Sequence, residues 1–155
     1  MRRLLLIVLL LGSAGITSYC GDGDEILKSL VSASDFIVAG TLGQVHTGYS
    51  TSTPVVHYPF HFKVKEVLKG DSTLNGQEIL AAVVRCEWTN YDRLPYFETG
   101  KDCILFLKHT TGGYVETGGG IVRTQQWTTV DYWFSVQPPS RCLSNLVKRL
   151  AGNEE

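Results

Sequence analysis

The sequence lacks the short motifs by which several common activities are recognised. It has no C-x-x-C pair for a zinc knuckle, no H-E-x-x-H and no G-x-S-x-G. The three glycines at 118–120 are not followed by the Lys-Ser/Thr of a phosphate-binding loop, so a turn is the favoured interpretation. No carboxylate pair stands out, and Ser, His and Asp are scattered rather than convergent. The sequence therefore predicts a protein that is not an enzyme and that uses no cofactor.

Strong charge and long apolar runs are also missing. The chain has 14 Lys plus Arg against 15 Asp plus Glu. Because affinity for nucleic acid comes largely from basic side chains on phosphates, nucleic acid is not an expected partner. No apolar run reaches the length of about 20 residues that a membrane span needs. A sequon for N-linked glycan is absent as well, so no sugar site indicates which surface is exposed.

The first nineteen residues have the layout of a secretory signal peptide. Two arginines precede the apolar run 4–11, and small residues follow at 12–15. This order is typical of export, whereas the alternative of a buried core helix leaves the basic start unexplained. We assign 1–19 to the signal peptide and 20–155 to one secreted, extracellular domain. Further positions that fit cleavage follow Ala14, Gly15 and Ser18.

Four cysteines follow the leader: Cys20, Cys86, Cys103 and Cys142. An even number in an exported chain predicts two disulfides. Metal binding is the competing use, and the scattered spacing disfavours it. Three connectivities remain open, and each bridge would stabilise the fold by about 2–4 kcal/mol.

Hydrophobic periodicity predicts a mainly β chain with a short helix near each end. Helices are predicted over 24–32 and 140–150, the second with Ser140 as its cap. Strands are predicted at 36–45, 57–65, 79–84, 101–107, 114–116 and 121–122. The polar segment 46–54 is predicted to be a loop. This set of elements indicates a five-stranded Greek-key barrel with flanking helices.

Two residue types refine the strand predictions. Gly40 and Gly43 predict a bulge or bend in the first strand. Pro59 has no N–H to donate to a ladder, so its end of the strand is expected at a sheet edge. His57 and His61 share the solvent face of that strand but lie about 13 Å apart. They are therefore interpreted as exposed histidines rather than a metal site.

The loop after the third predicted strand is rich in aromatic residues, namely Trp88, Tyr91, Tyr96 and Phe97. Such rings anchor protein partners, because they bury a large area at small entropic cost. The alternative is a loop that packs the rings against its own domain. The sequence leaves both interpretations open.

The order and spacing of these segments resemble a known family. A cysteine near the mature start leads into a short helix, and the segments 34–40, 62–70 and 100–106 follow, with Cys86 before the last of them. The pattern resembles the netrin-like superfamily, and within it the amino-terminal domain of tissue inhibitors of metalloproteinases. The resemblance implies an OB-fold barrel, and a protein partner rather than a membrane or nucleic acid.

The resemblance also implies an inhibitory mechanism. In that family, the free amine and carbonyl oxygen of an amino-terminal cysteine bind the protease's zinc in trans. Here that residue is Cys20, bridged to Cys86, and the contact residues are Gly21, Asp22 and the ridge Arg85, Cys86, Glu87 and Trp88. By remainder, Cys103 and Cys142 are expected to form the second bridge.

The amino terminus departs from the family pattern of Cys-x-Cys. Gly21 offers no side chain to a specificity pocket, and Asp22 stands in place of the second cysteine. The first hypothesis is a secreted, monomeric inhibitor of a zinc metalloprotease. The alternatives are a non-inhibitory netrin-like binding module and a secreted enzyme on an OB barrel.

Overall fold

Strands make up most of the described part of the chain. A computed structural model describes residues 24–52, 55–86, 97–110, 114–117, 120–124, 127–131 and 134–152. The predicted signal peptide (1–19) and Cys20, Gly21, Asp22, Glu87, Trp88, Tyr91 and Tyr96 lie outside these ranges. Both predicted helices are present, as α1 at 24–33 and α2 at Arg141–Leu150. The strands are β1 Phe36–Val45, β2 Tyr49–Ser52, β3 Val55–Lys69, β4 Glu78–Cys86, β5 Asp102–His109, β6 Tyr114–Thr117, β7 Gly120–Thr124, β8 Trp127–Thr129 and β9 Val136–Gln137, with a 3-10 turn at Ser72–Leu74. The prediction of a mainly β chain with two helices is confirmed.

Five strands pair in a closed ring. Around the ring, β1 pairs with β3, β3 with β4, β4 with β8, β8 with β5, and β5 with β1. Every one of these pairings is antiparallel except that between β4 and β8. Strand β2 adds to β3 and β9 adds to β5, whereas β6 and β7 form a separate two-stranded sheet.

Two apolar clusters lie on opposite faces of the ring strands. We call the first the sheet cluster; its buried members are Phe36, Val38, Leu42, Phe60, Phe62, Val64, Ile79, Ala81, Val83, Cys103, Leu105, Leu107 and Val136. We call the second the helix cluster; its buried members are Leu30, Val31, Ile37, Leu68, Ile104, Phe106 and Val147. Because α1 and α2 contribute to the second cluster alone, both helices cover the same face of the sheet.

The central part of strand β5, residues 103–107, is apolar because it is buried on both faces. Leu105 and Leu107 belong to the sheet cluster, while Ile104 and Phe106 belong to the helix cluster. Successive side chains of a strand point to opposite faces. A run without polar alternation is therefore what a strand between two apolar layers requires, and the predicted buried strand is confirmed.

The predicted alternation in β3 is confirmed, but its predicted edge position is wrong. Phe60 and Phe62 are buried while Lys63 and Lys65 are exposed. The strand is nevertheless internal, with β4 on one side and β1 and β2 on the other. The carbonyl of Pro59 accepts a hydrogen bond from the His46 amide at 2.8 Å. The N and C=O of one strand residue point to the same side of the strand. The N–H that Pro59 lacks would therefore point toward the break between β1 and β2, where no strand residue needs it as a donor.

The segment 46–54, predicted to be a loop, contains strand β2. Its four polar and aromatic residues pair with the start of β3, in a short hairpin arm. Polar residues suit such an outer strand, because among the described strands none pairs with its other side. The loop prediction is wrong at 49–52.

The chain adopts its predicted bulges at the two glycines of β1. The β1–β3 register shifts between Ala39 and Gly40 and again between Leu42 and Val45. A Cβ on Gly40 would lie 2.1 Å from the carbonyl oxygen of Lys63. The close approach of the two backbones therefore depends on glycine at this position.

The helices end on specific polar contacts. The Ser140 hydroxyl accepts a hydrogen bond from the Leu143 amide, so the predicted cap is confirmed. At the carboxyl end of α1, the Lys69 ammonium donates to the carbonyls of Val31 and Ser34 at 2.7 and 2.5 Å. A cation at this helix end satisfies carbonyls that have no partner within the helix. Across the described ranges, neither helix has the length and apolarity needed to cross a membrane.

Candidate functional site

The described part of the predicted inhibitory ridge lies at the end of β4. Arg85 pairs with Val56 and Cys86 pairs with Val55, at the start of β3. Strand β2 flanks the same residues of β3 from the other side, with Ser50 opposite Val56. The backbone that leads into Glu87 and Trp88 is therefore held in a three-stranded ladder. The remaining ridge residues and Cys20 lie outside the described ranges, so the structure does not test their meeting.

Cys103 and Cys142 are free thiols. Cys103 is completely buried in the sheet cluster, whereas Cys142 is exposed on α2. Helix α2 packs on the opposite face of β5, against Ile104 and Phe106. The predicted Cys103–Cys142 bridge is therefore wrong, because strand alternation directs the Cys103 thiol away from the helix. Burial, reinforced by the charge of Asp102, raises the pKa of the Cys103 thiol to about 12.

One ring of the aromatic loop packs internally. Phe97 is half-buried against the sheet cluster, and its ring centroid lies 5.1 Å from that of Phe60 in an edge-to-face contact. At this residue the internal-packing interpretation is confirmed. The other rings of the loop, Trp88, Tyr91 and Tyr96, lie outside the described residues.

The outward face of β3 carries the predicted histidines, which are half-buried rather than exposed. His61 Nδ1 lies 2.9 Å from Glu78 Oε1 on the neighbouring strand β4, with 26% of the His61 side chain exposed. Burial, and secondarily the charge of Lys108, lowers the pKa of His57.

The partner of His61 is a residue that sequence reasoning missed. His46 lies just after β1, and its ring centroid is 5.2 Å from that of His61, with the planes inclined at 57°. The His46 amide donates a hydrogen bond to the Pro59 carbonyl, which holds the end of β1 beside β3. Burial and the neighbouring His61 lower the pKa of His46. No periodicity marks His46. Its contact with His61, fifteen residues later in the chain, depends on how β3 folds back along β1.

The Nε2 atom of His46 is buried and has no hydrogen-bond partner among the residues that the structure describes. Buried polar atoms without partners are rare in folded proteins, so this nitrogen needs an explanation. We call His46, His61 and Glu78 the histidine cluster. Within the described ranges, no group of three or more His, Cys, Asp or Glu side chains is arranged to hold a metal ion.

A polar groove of about 680 Å³ lies between α2 and the sheet. On one wall, Asp102 accepts hydrogen bonds from Thr41 at 2.6 Å and from Lys65 at 2.8 and 2.9 Å. On the other, Lys148 pairs with Glu66 at 2.5 Å. The bonds from Lys65 and Thr41 lower the pKa of Asp102. Because these charges pair with one another, the groove presents little net charge to a ligand.

Comparison with protein-family models finds none that matches this chain. No curated protein matches it either. The functional argument therefore depends on the chain's own residues and on the resemblance stated above.

Proposed function

We propose that this chain is a secreted OB-type domain that inhibits a zinc metalloprotease through the backbone nitrogen and carbonyl oxygen of Cys20. The proposal includes a disulfide between Cys20 and Cys86 and a ridge over Arg85, Glu87 and Trp88. The domain acts as a protein-binding module and has no catalytic step of its own.

The strand order of the ring supports the OB-type interpretation. Ranked by position in the chain, the ring strands follow one another as first, second, third, fifth and fourth. The fourth strand returns beside the first and the fifth closes the gap, an order that supports a Greek-key arrangement of five strands. A helix near each end of the chain completes the expected pattern.

The cysteine arrangement is the observation that carries the inhibitor proposal. Cys103 and Cys142 are both free, and Cys103 is enclosed by apolar side chains. This leaves Cys86, at the end of a ladder-held strand, as the partner for Cys20. Such a bridge would fasten the amino terminus beside the ridge, and fastening a flexible segment in its bound position lowers the entropic cost of binding.

The chemistry places one strict condition on the mature chain. An amine binds zinc through its neutral lone pair, whereas an amide nitrogen, whose lone pair is delocalised, does not replace it. Cys20 must therefore be the first residue, with its amine and carbonyl oxygen free to occupy the position where the protease holds its attacking water.

The first experiment identifies the mature terminus and the bridge. Intact mass and amino-terminal sequencing of the secreted protein should give a start at Cys20. Peptide mapping without reduction should link Cys20 to Cys86 and recover unmodified Cys103 and Cys142. A start at Gly15, Ile16 or Tyr19 would contradict the inhibitor proposal.

The second experiment measures inhibition with a matched control. We expect the Cys20 form to inhibit at least one member of a panel of zinc metalloproteases. The control is the same protein with one alanine added before Cys20, which keeps the fold and the bridge but blocks the amine. Equal inhibition by the two forms, or none by either at high micromolar concentration, would overturn the mechanism.

A non-inhibitory binding module is the second candidate, and Phe134 favours it. Its side chain is 43% exposed, on a turn where its amide donates to Asp131 Oδ1 at 2.7 Å. The Gln137 side chain donates to the Phe134 carbonyl at 2.8 Å, so the turn is held while the ring faces solvent. A preorganised exposed aromatic is suited to anchoring a protein partner. Loss of partner binding in Phe134→Ser, with inhibition absent in the parent, would favour this function.

A further inference from the structure

We propose that His46 and His61 bind a divalent transition-metal ion such as Zn²⁺, with Glu78 orienting the His61 ring. This site would hold an ion of the chain's own and is separate from any contact of Cys20 with a protease.

The spacing of the two rings fits a shared ion. Imidazole nitrogens bind zinc at about 2.0–2.1 Å, which places the centroids of two rings on one tetrahedral ion about 5 Å apart. The centroids of His46 and His61 are 5.2 Å apart, and their planes are inclined rather than stacked. Two rings already at this separation need little backbone movement to bind the same metal ion.

The unpartnered nitrogen supplies the second line of argument. Among the described residues, His46 Nε2 is buried without a hydrogen-bond partner, which disfavours the folded state. A bound cation would give this lone pair a partner.

Glu78 has the position of a supporting carboxylate. It lies 2.9 Å from His61 Nδ1, so a proton on Nδ1 donates to the carboxylate and leaves the Nε2 lone pair of His61 for a metal. Metal-binding histidines commonly donate their second ring nitrogen to a carboxylate in this way. With Nδ1 engaged, Glu78 acts as a positioning residue rather than a ligand.

The ligand set defines the kind of site. Imidazole suits zinc, copper and nickel, and two imidazoles leave the remaining coordination positions to water. The site would therefore be open and exchangeable. It lies six residues along β3 from Val55, the partner of Cys86, a distance of about 20 Å.

The test measures zinc binding by the isolated, tag-free protein with no protease present. Calorimetric titration with zinc chloride should show one saturable equivalent. His46→Ala and His61→Ala should each weaken binding at least tenfold. The matched control is His57→Gln, on the same face of β3, which should bind as the wild type does. Because no protease is involved, the result is independent of the inhibitor proposal.

Two spectroscopic readouts separate binding from folding. In the wild type, zinc should shift the imidazole NMR signals of His46 and His61 but not those of His57, while the backbone spectrum of each variant verifies its fold. Glu78→Gln should weaken binding by about 10–100-fold, and electron paramagnetic resonance of the copper form should still show two coordinated nitrogens. Absence of saturable binding, binding that survives both alanine variants, or equal loss in His57→Gln would overturn the proposal.

Discussion

Among the described glycines, Gly40 has the least room for a side chain. A Cβ there would lie 2.1 Å from the Lys63 oxygen and 2.8 Å from the Phe62 ring, whereas at Gly43 the nearest atoms are 3.0 and 3.1 Å away. We expect Gly40→Ala to lower the free energy of unfolding by about 2–3 kcal/mol and Gly43→Ala by about 1 kcal/mol. Urea denaturation of the two variants measures both values. Equal losses would contradict this ranking, because β1 and β3 would then separate at Gly40 as easily as at Gly43.

The second residue-scale prediction concerns pH. The pKa of His57 is lowered below 6.5, first by burial and then by Lys108, so the unfolded chain binds the proton more readily than the folded one. Its contribution to stability is therefore complete above pH 6.5 and is lost as the pH falls through the folded pKa. We expect His57→Gln to flatten the pH dependence of the free energy of unfolding between about pH 7 and pH 5. An unchanged slope in chemical denaturation would contradict the assigned cause.

At the scale of elements, the Lys69 ammonium group stabilises the carboxyl end of α1. The Lys69 Nζ bonds to two carbonyls at the end of this helix, in a partly buried position. Lys69→Met keeps the aliphatic stem and removes both charge-assisted bonds, so we expect a loss of about 2 kcal/mol. The control Lys101→Met, at an exposed position, should change stability by less than about 0.5 kcal/mol. Thermal melts of both variants make the comparison.

Elements defined by their own periodicity were predictable from sequence. The apolar run of β5, the alternation of β3 and the capped stripe of α2 each carry their structure in neighbouring residues. Strand β2 was not predictable, because its polar residues become a strand only through pairing with β3. The edge position predicted from Pro59 was wrong for the same reason. The break between β1 and β2 that accommodates Pro59 has no signal in the sequence of β3.

The candidate site was less predictable than the fold. The Cys103–Cys142 expectation failed because alternation in β5 tells which residues share a face but not which face a distant helix will cover. His46 was missed because its contact with His61 is set by the way β3 folds back along β1. The spacing between His57 and His61 gave no sign of the cross-strand neighbours of His61.

At the scale of the whole molecule, stability should be uneven. Strand β5 pairs with β1 on one side and with β8 and β9 on the other, whereas β6 and β7 pair only with each other among the described strands. A two-stranded sheet alone is marginal in water, so its amides should exchange through local opening. We expect hydrogen exchange to be slowest in β5 and markedly faster in β6 and β7. Equal protection would show that the hairpin opens only with the ring.

The ring also constrains how the chain reaches its final form. Its closure joins Phe36 to Leu107, and the parallel contact of β4 with β8 waits for Trp127. While the chain is being synthesised, β1, β3 and β4 therefore form an open sheet, and its edge strands β1 and β4 remain accessible to other molecules until β5 and β8 have emerged. Contacts this distant along the chain favour slow folding, on a scale of about milliseconds to seconds. Aggregation during synthesis is thus the hazard of this architecture, and it ends when β8 closes the ring.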